Sequence, residues 1–193
     1  MELYRVGVKL FCEAGHDVPL VEFIPIFHRW IQTRAIDGLL IDVADYSHIT
    51  NGPGIVLVAH EGNLAIDEGR GRRGLAYYVK RPQDGPLETR LAAVLAHAAK
   101  AAILLAAEDT LAGRMRLGGS EIEFFSNDRL VAANDEQGHA VLEPAVRAVA
   151  SRVYGQSGYS LERASEDPRE RLALVARSQA PVTVEELEAR ARV

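Results

Sequence analysis

The sequence predicts an α+β fold, in which an antiparallel or mixed sheet packs against helices on one face. Two observations favour this class: segments rich in β-branched and aromatic residues alternate with amphipathic helical segments, and turn sequences such as Ser126-Asn127-Asp128 join neighbouring strands. A third is a repeated order of elements, because helices 20–34 and 140–154 are each preceded by a strand and followed by two. We interpret this order as a pseudo-twofold duplication of a β-α-β-β unit, although α+β proteins also show a helix followed by a hairpin by chance.

Most of the predicted strands lie in the first half of the chain. Residues 20–34 place apolar side chains at helical spacing, and Pro25 favours a regular helix that begins at that position. Gly15 and Asp17 mark a turn before it. The strands predicted in this half are 4–13, 39–46, 54–67 and 74–81.

An alanine-rich helix is predicted from 87 to 110. It is apolar almost all round and contains His97 and Lys100, and its apolar run is short for a bilayer, so we expect a buried helix with a neutral His97. It would lie between the two copies or against its counterpart in a second subunit. We therefore predict a single compact domain over 1–193, with lobes 1–81 and 118–193 joined by this helix.

The second half is predicted to hold two hairpins and two helices. The first hairpin joins strands 120–125 and 129–133, and the second joins strands 159–163 and 171–177. Helix 140–154 is expected to end at Gly155. A short final helix begins with a capping box formed by Thr183 and Glu186.

Composition limits the class of protein. With 48% hydrophobic and 25% charged residues, the chain of 193 residues is typical of a globular protein rather than a disordered one. The formal net charge of −5 argues against general affinity for nucleic acid or anionic membranes. The single cysteine, Cys12, excludes an internal disulfide, and the N-terminus lacks the pattern of a secretory signal, so we expect a reducing cytoplasm.

The segment 39–69 is the best candidate for a functional site, because polar side chains stand beside apolar runs that we expect to be buried sheet. On a single strand 54–67, His60 points towards the core and Glu61 points away beside Asn63. Both can face one ligand only if Gly62 forms a bulge. The structural alternative is a core histidine with a partner and a solvated glutamate.

An enzymatic interpretation combines these residues with the preceding strand and loop. In a metal-assisted hydrolase, His48, His60, Glu61 and either Asp42 or Asp45 would be ligands; in an acid–base enzyme, His60 would transfer the proton with the others assisting. No compact metal-binding motif is present, so no metal and no cofactor is assigned. In the structural alternative, Asp45 and His48 bond to backbone groups in a turn.

The turn from Arg70 to Arg73 is the one dense basic segment, and Tyr77 and Tyr78 follow it. It suggests nucleic-acid binding through phosphate contacts and base stacking. The following helix lacks a lysine cluster and the net charge is negative, so a solvated turn is the favoured interpretation.

Three functional hypotheses follow. The first is a soluble homo-oligomeric binding or assembly module without its own catalysis, suggested by the apolar helix and the lack of catalytic motifs. The second is the metal-assisted or acid–base enzyme with a site in residues 42–67. The third, nucleic-acid binding, depends on the Arg70–Arg73 turn. A small-molecule ligand is a candidate partner in addition to a second copy of the chain. We expect no membrane association.

Overall fold

The fold is built on one antiparallel sheet. The computed structural model describes residues 2–14, 17–156 and 158–192. Within these residues there are eight strands: β1 (Val6–Ala14), β2 (Leu40–Tyr46), β3 (Gly54–Ala59), β4 (Gly62–Asp67), β5 (Gly74–Val79), β6 (Arg116–Ser126), β7 (Tyr159–Arg163) and β8 (Ala173–Ser178). Their order across the sheet is β2-β3-β4-β5-β1-β6-β8-β7, and all neighbours pair antiparallel. The predicted α+β class is confirmed, and the sheet is fully antiparallel.

Four α-helices in the described residues pack on one face of this sheet: α1 (Phe23–Thr33), α2 (Leu87–Ala106), α3 (Glu136–Tyr154) and α4 (Val184–Ala191). Helix α1 covers β2 and β3, α2 covers β1, β5 and β6, and α3 covers β7 and β8. Strand residues that alternate along the chain, such as Val6, Val8 and Leu10, join the buried residues of the helices in one core. The opposite sheet face, called here the helix-free face, has a much smaller apolar cluster around Val56, Ala65 and Ala76.

Helix α1 forms where the helical spacing predicts it. Its buried residues are Phe23, Ile26, Phe27 and Trp30, which recur every three or four positions. Pro25 lies in the first turn, where its missing N–H has no partner to lose. The Trp30 indole N–H donates to Glu108 Oε1 at 2.6 Å, which ties α1 to the segment after α2.

Helix α2 is covered by its own chain. It contacts the sheet on one side and both α3 and α4 on the others, and ten of its residues are buried. By length and composition alone it is apolar enough to cross a membrane, but 56% of its most apolar window is buried inside the protein, as in the core helix of a soluble protein. The helix packs against elements of its own chain, and its contact with a counterpart in a second subunit stays a prediction.

The prediction of one strand over 54–67 is wrong. The segment is a hairpin of β3 and β4, with His60 and Glu61 in the turn and Val58 opposite Asn63 as the last paired residues. The apolar residues on both sides conceal the break, because no Asn-Gly or Asp-Gly sequence marks it. The predicted alternation, with His60 facing the core, is therefore wrong as well: both turn residues are exposed.

The predicted strand 129–133 is also absent from the described residues. Asp128 turns the chain instead, since its Oδ2 accepts hydrogen bonds from the backbone N–H groups of Tyr4 and Arg5 at 2.6 and 2.7 Å. Helix α3 then begins earlier than predicted, because Asp135 caps it by accepting from Gly138 N at 2.8 Å.

Several local predictions are confirmed. Strands β7 and β8 form the second hairpin, Gly155 follows α3 as its C-cap, and Thr183 and Glu186 form the capping box of α4. Gly15, where a turn is predicted, lies outside the described residues. The sheet contains strands from both predicted lobes, with β1 paired to β5 and β6. The order β-α-β-β occurs twice, and the duplication of such a unit stays a prediction.

Candidate functional site

The predicted site residues do not lie together. Asp45 and His48 lie at one end of the β2–β3 hairpin, whereas His60 lies at the other, where its backbone N–H donates to Leu39 O at 2.9 Å. The seven residues of β2 separate the two groups, a span of roughly 20 Å. Among the described residues, no group of three or more His, Cys, Asp or Glu side chains is placed to hold a metal ion.

Asp45 and Asp42 have local partners instead. Asp45 Oδ1 accepts from Ser47 N at 2.8 Å, and Asp42 Oδ1 accepts from Val43 N at 2.8 Å. The pKa of the Asp45 carboxyl is lowered first by a side-chain hydrogen bond from Ser47 and then by this backbone bond from Ser47 N. Asp45 therefore has the turn role given in the structural alternative.

Glu61 lines a cavity of about 230 Å³ on the helix side of the sheet. The walls are apolar side chains of three strands, Leu40, Leu57 and Leu64, and polar groups converge on them from the turn at Glu61 and from α2. This combination of an apolar recess with a few polar groups is typical of small-molecule sites. It makes this cavity the candidate functional site.

An aromatic pair forms one wall of the cavity. The ring of Tyr77 in β5 stacks on the imidazole of His97 in α2, with 4.0 Å between centroids and 23° between planes. Burial lowers the pKa of His97, so the imidazole is neutral at pH 7. Burial also raises the pKa of Tyr77 to about 12, with the nearby Glu61 charge acting in the same direction.

The Glu61 carboxylate is held at the mouth of the cavity. Its own backbone N–H is the largest cause of a lowered pKa, and the N–H of Leu39 acts in the same direction, donating to Oε2 at 3.3 Å. Gly38 fits closely here at φ +112°, because an added Cβ would lie 3.2 Å from the same oxygen. Glu61 is therefore ionised at neutral pH.

A surface ion pair completes the mouth. Lys100 Nζ lies 2.6 Å from Asp37 Oδ2, and this bond is the main cause of a lowered pKa of Asp37. The two charges of the pair cancel. Since His97 and Tyr77 are neutral, Glu61 is the one lining residue of the described chain that carries a charge without a paired counter-ion, and Arg81, which does not line the cavity, is near enough to help lower its pKa.

Of the polar residues that line the cavity, the sequence predicted Glu61 as a site residue. It did not predict that Tyr77 and Asp37 line the same cavity. It predicted His97 as buried and neutral, but with a backbone carbonyl or a second subunit as partner, whereas Tyr77 is the neighbour in the structure. No sequence spacing joins these residues, because β5, α2 and the β3–β4 turn meet only through the sheet.

A larger cavity of about 380 Å³ lies between α2, β6 and α4. Most of its polar groups already have partners: Ser120 Oγ accepts from Val182 N at 2.9 Å, Thr183 caps α4, and Glu13 pairs with Arg116. Glu185, which also lines the cavity, is exposed to solvent. Two strand glycines, Gly118 and Gly119, let neighbouring atoms approach where a Cβ would lie within 2.5 Å of them. Among the described residues, no group of unpaired polar side chains converges on this cavity, so it is not proposed as a binding site.

The arginines of the 70–73 turn are ion-paired. Arg70 contacts the buried Glu123, Arg72 binds both oxygens of Glu121 at 2.8 and 2.9 Å, and Arg73 lies 2.5 Å from Glu68. Instead of a solvated turn, Arg70 and Arg72 form ion pairs on the helix-free face, whereas Arg73 donates to Val18 O on the helix side. Nucleic-acid binding needs cations free to meet phosphates, and these are already neutralised.

No protein-family model, curated protein sequence or solved structure matches this chain. Functional inference therefore depends on the geometry of its own residues.

Proposed function

We propose that this protein binds a small ligand carrying a protonated amine, in the cavity lined by Glu61, Tyr77 and His97. The observation that supports this most is the ionised Glu61 at the mouth of an apolar recess whose other titratable groups are neutral or paired. A carboxylate in such a place attracts a cation and accepts charge-assisted hydrogen bonds.

The size of the cavity limits the ligand. Its volume of about 230 Å³ lies below the roughly 300–1,000 Å³ of sites for drug-sized molecules, which favours a compact ligand. The apolar walls fit a hydrocarbon body, and the neutral imidazole of His97 offers a second hydrogen-bonding group. The proposed site keeps Glu61 of the enzymatic hypothesis, and His97 takes the place of His60 as its histidine.

Calorimetric titration with benzylamine tests the proposal, with benzyl alcohol and benzoate as ligands of similar shape and different charge. We expect benzylamine to bind best and Glu61→Gln to weaken its binding about tenfold, the effect of losing one charge-assisted contact. Glu13→Gln is the matched control, because Glu13 is an exposed carboxylate that lines the other cavity. Equal binding of the amine and the alcohol, or no effect of Glu61→Gln, contradicts the proposal.

Self-association is the second candidate function, and a different surface now favours it. Strand β2 is an edge strand, and four large apolar side chains are exposed on or beside it: Leu39, Ile41, Tyr46 and Ile49. The N–H of Val43 donates to Asp42 Oδ1, and the proposed contact is made by the exposed apolar side chains.

Sedimentation at micromolar concentration tests this candidate. A dimer that Ile41→Lys converts to a monomer supports it, with Val21→Lys, an exposed apolar residue of another surface, as the control. A monomeric wild-type protein removes it.

A further inference from the structure

A second recess lies on the helix-free face, at the ends of the central strands. One cavity of about 370 Å³ is lined by Arg5, Asn63, Tyr78, Val79, Lys80 and Asn127. An adjoining cavity of about 450 Å³ shares Arg5, Lys80 and Asn127 with it. The two form one trough, on the opposite side of the sheet from the Glu61 cavity.

The trough gathers cations that lack carboxylate partners. Most Lys and Arg side chains of this protein are ion-paired; within the described residues the exceptions are Arg34, Lys80, Arg81, Arg129 and Arg152. Two of these, Lys80 and Arg129, line the trough. Arg129 also donates to the backbone oxygen of Arg169, so it lacks a carboxylate partner but not a hydrogen bond. In a chain of net charge −5, a local group of cations without carboxylate partners is a specific feature.

Arg5 adds a third cation. Its Nε is 3.9 Å from Asp128 Oδ1, which is beyond hydrogen-bonding distance. The other oxygen of Asp128 is engaged by the backbone N–H groups of Tyr4 and Arg5. The carboxylate therefore holds the chain turn and forms a long ion pair with Arg5, while the hydrogen-bond donors of the Arg5 guanidinium stay available.

Neutral hydrogen-bond donors stand between the cations. Asn63 Nδ2 donates to the Tyr78 hydroxyl at 3.2 Å, which leaves the hydroxyl proton of Tyr78 to be donated elsewhere. The side-chain amide of Asn127 has no partner in the described part of the chain. Gly7 lets Tyr78 and the Phe125 ring pack closely on β1, because an added Cβ would lie 2.5 Å from the Phe125 ring and 2.7 Å from Tyr78 Cβ.

Apolar side chains line the far end of the trough. Leu130 is fully exposed, and Val131 and Tyr4 are partly so, in a protein whose other large apolar residues are mostly buried. A charged end beside an apolar end is the form of a site for a ligand with an anionic group and a hydrocarbon body.

We propose that this trough binds a small organic phosphate monoester, a function separate from that of the Glu61 cavity. The phosphate lies between Arg5 and Lys80, whose donors match its oxygens, with Asn127 and the Tyr78 hydroxyl completing its hydrogen bonds. The organic body lies against Tyr4, Leu130 and Val131.

Calorimetric titration at low salt with phenyl phosphate, inorganic phosphate and phenol tests this assignment. We expect phenyl phosphate to bind most tightly, inorganic phosphate more weakly and phenol not at all, with affinity falling as salt is added. Arg5→Ala and Lys80→Ala should each weaken phenyl phosphate binding about tenfold or more, as expected for a lost charge-assisted contact.

Two controls separate this site from general charge effects. Arg152→Gln removes an exposed arginine that has no carboxylate partner among the described residues and lies on α3, so it should leave binding unchanged. Glu61→Gln should also leave it unchanged, which distinguishes failure here from failure of the amine site. Lys80→Gln provides a second variant if Lys80→Ala lowers stability. Absence of phenyl phosphate binding, or binding that neither Arg5→Ala nor Lys80→Ala weakens, overturns the assignment.

Discussion

At the scale of single residues, the most unusual feature is a fully buried lysine in the central strand. Lys9 Nζ lies 2.5 Å from Asp67 Oδ1, and its side chain is 1% exposed. Burial is the largest effect on its pKa, which is lowered even with Asp67 beside it. Lys9 lies opposite Glu123, which is itself buried between Arg70 and Arg171.

We expect Lys9→Met to destabilise the fold by about 3–5 kcal/mol, because it leaves the buried Asp67 carboxylate without its cation. Arg147→Ala, which breaks an exposed pair with Glu143, should cost less than about 1 kcal/mol. Urea unfolding of both variants measures the difference. Equal losses would mean that Lys9 is not held as a buried charge.

The sequence predicted the roles of single residues correctly where their hydrogen-bond partners are close in the chain. The Thr183–Glu186 capping box and the Asp45 turn depend on neighbours two or three positions apart, and both are present. The burial of Lys9 was not predicted, because its partner Asp67 lies in β4 and Lys9 lies in β1. Strand β5 lies between them in the sheet, so no sequence spacing relates the two residues. The position of His97 beside Tyr77 depends on tertiary packing in the same way.

At the scale of elements, the cap of α3 explains where that helix begins. Asp135 has extended backbone angles and accepts a hydrogen bond from Gly138 N, so it satisfies one of the unpaired donors of the first turn. Asp135→Ala should destabilise the protein by about 0.5–2 kcal/mol, with Asp135→Asn much closer to wild type. Urea unfolding measures this as a shift of the midpoint with an unchanged slope. An equal loss of unfolding free energy in Asp135→Ala and Asp135→Asn would contradict a capping role.

Helices and hairpins were predictable from the sequence to different degrees. Helix α1 follows from periodicity, and α2 follows from a long alanine-rich apolar run. The β3–β4 turn was missed because His60 and Glu61 interrupt a continuous apolar segment without a typical turn sequence. That error moved both residues from an exposed turn into a buried strand. It also concealed how Glu61 reaches the helix side of the sheet.

At the scale of the whole molecule, the buried His139 and the half-buried His97 predict a pH dependence of stability. The pKa values of His97 and His139 are both lowered from the ordinary value of 6.5, in each case mainly by burial. Between the lowered pKa and 6.5 the unfolded chain binds more protons than the folded one, so stability falls as pH drops below about 6.5. The loss ends when the folded histidines are themselves protonated.

Unfolding measured from about pH 7.5 to about pH 5.5 tests this effect. The wild-type free energy of unfolding should decrease over this interval, and His97→Asn should decrease less, with His139 accounting for the remainder. Carboxylates with lowered pKa, such as Asp37 and Glu61, act only nearer their ordinary values below pH 5. The same slope in wild type and His97→Asn would contradict the burial of a neutral His97.

The most direct test of the central claim is NMR observation of the His97 imidazole during a pH titration, with and without benzylamine. If a protonated amine binds beside Glu61 in the same cavity, its positive charge disfavours the imidazolium, and the pKa of His97 falls further when benzylamine is bound. That fall should disappear in Glu61→Gln. A His97 pKa unchanged by saturating benzylamine would contradict the assignment of this cavity as the amine site.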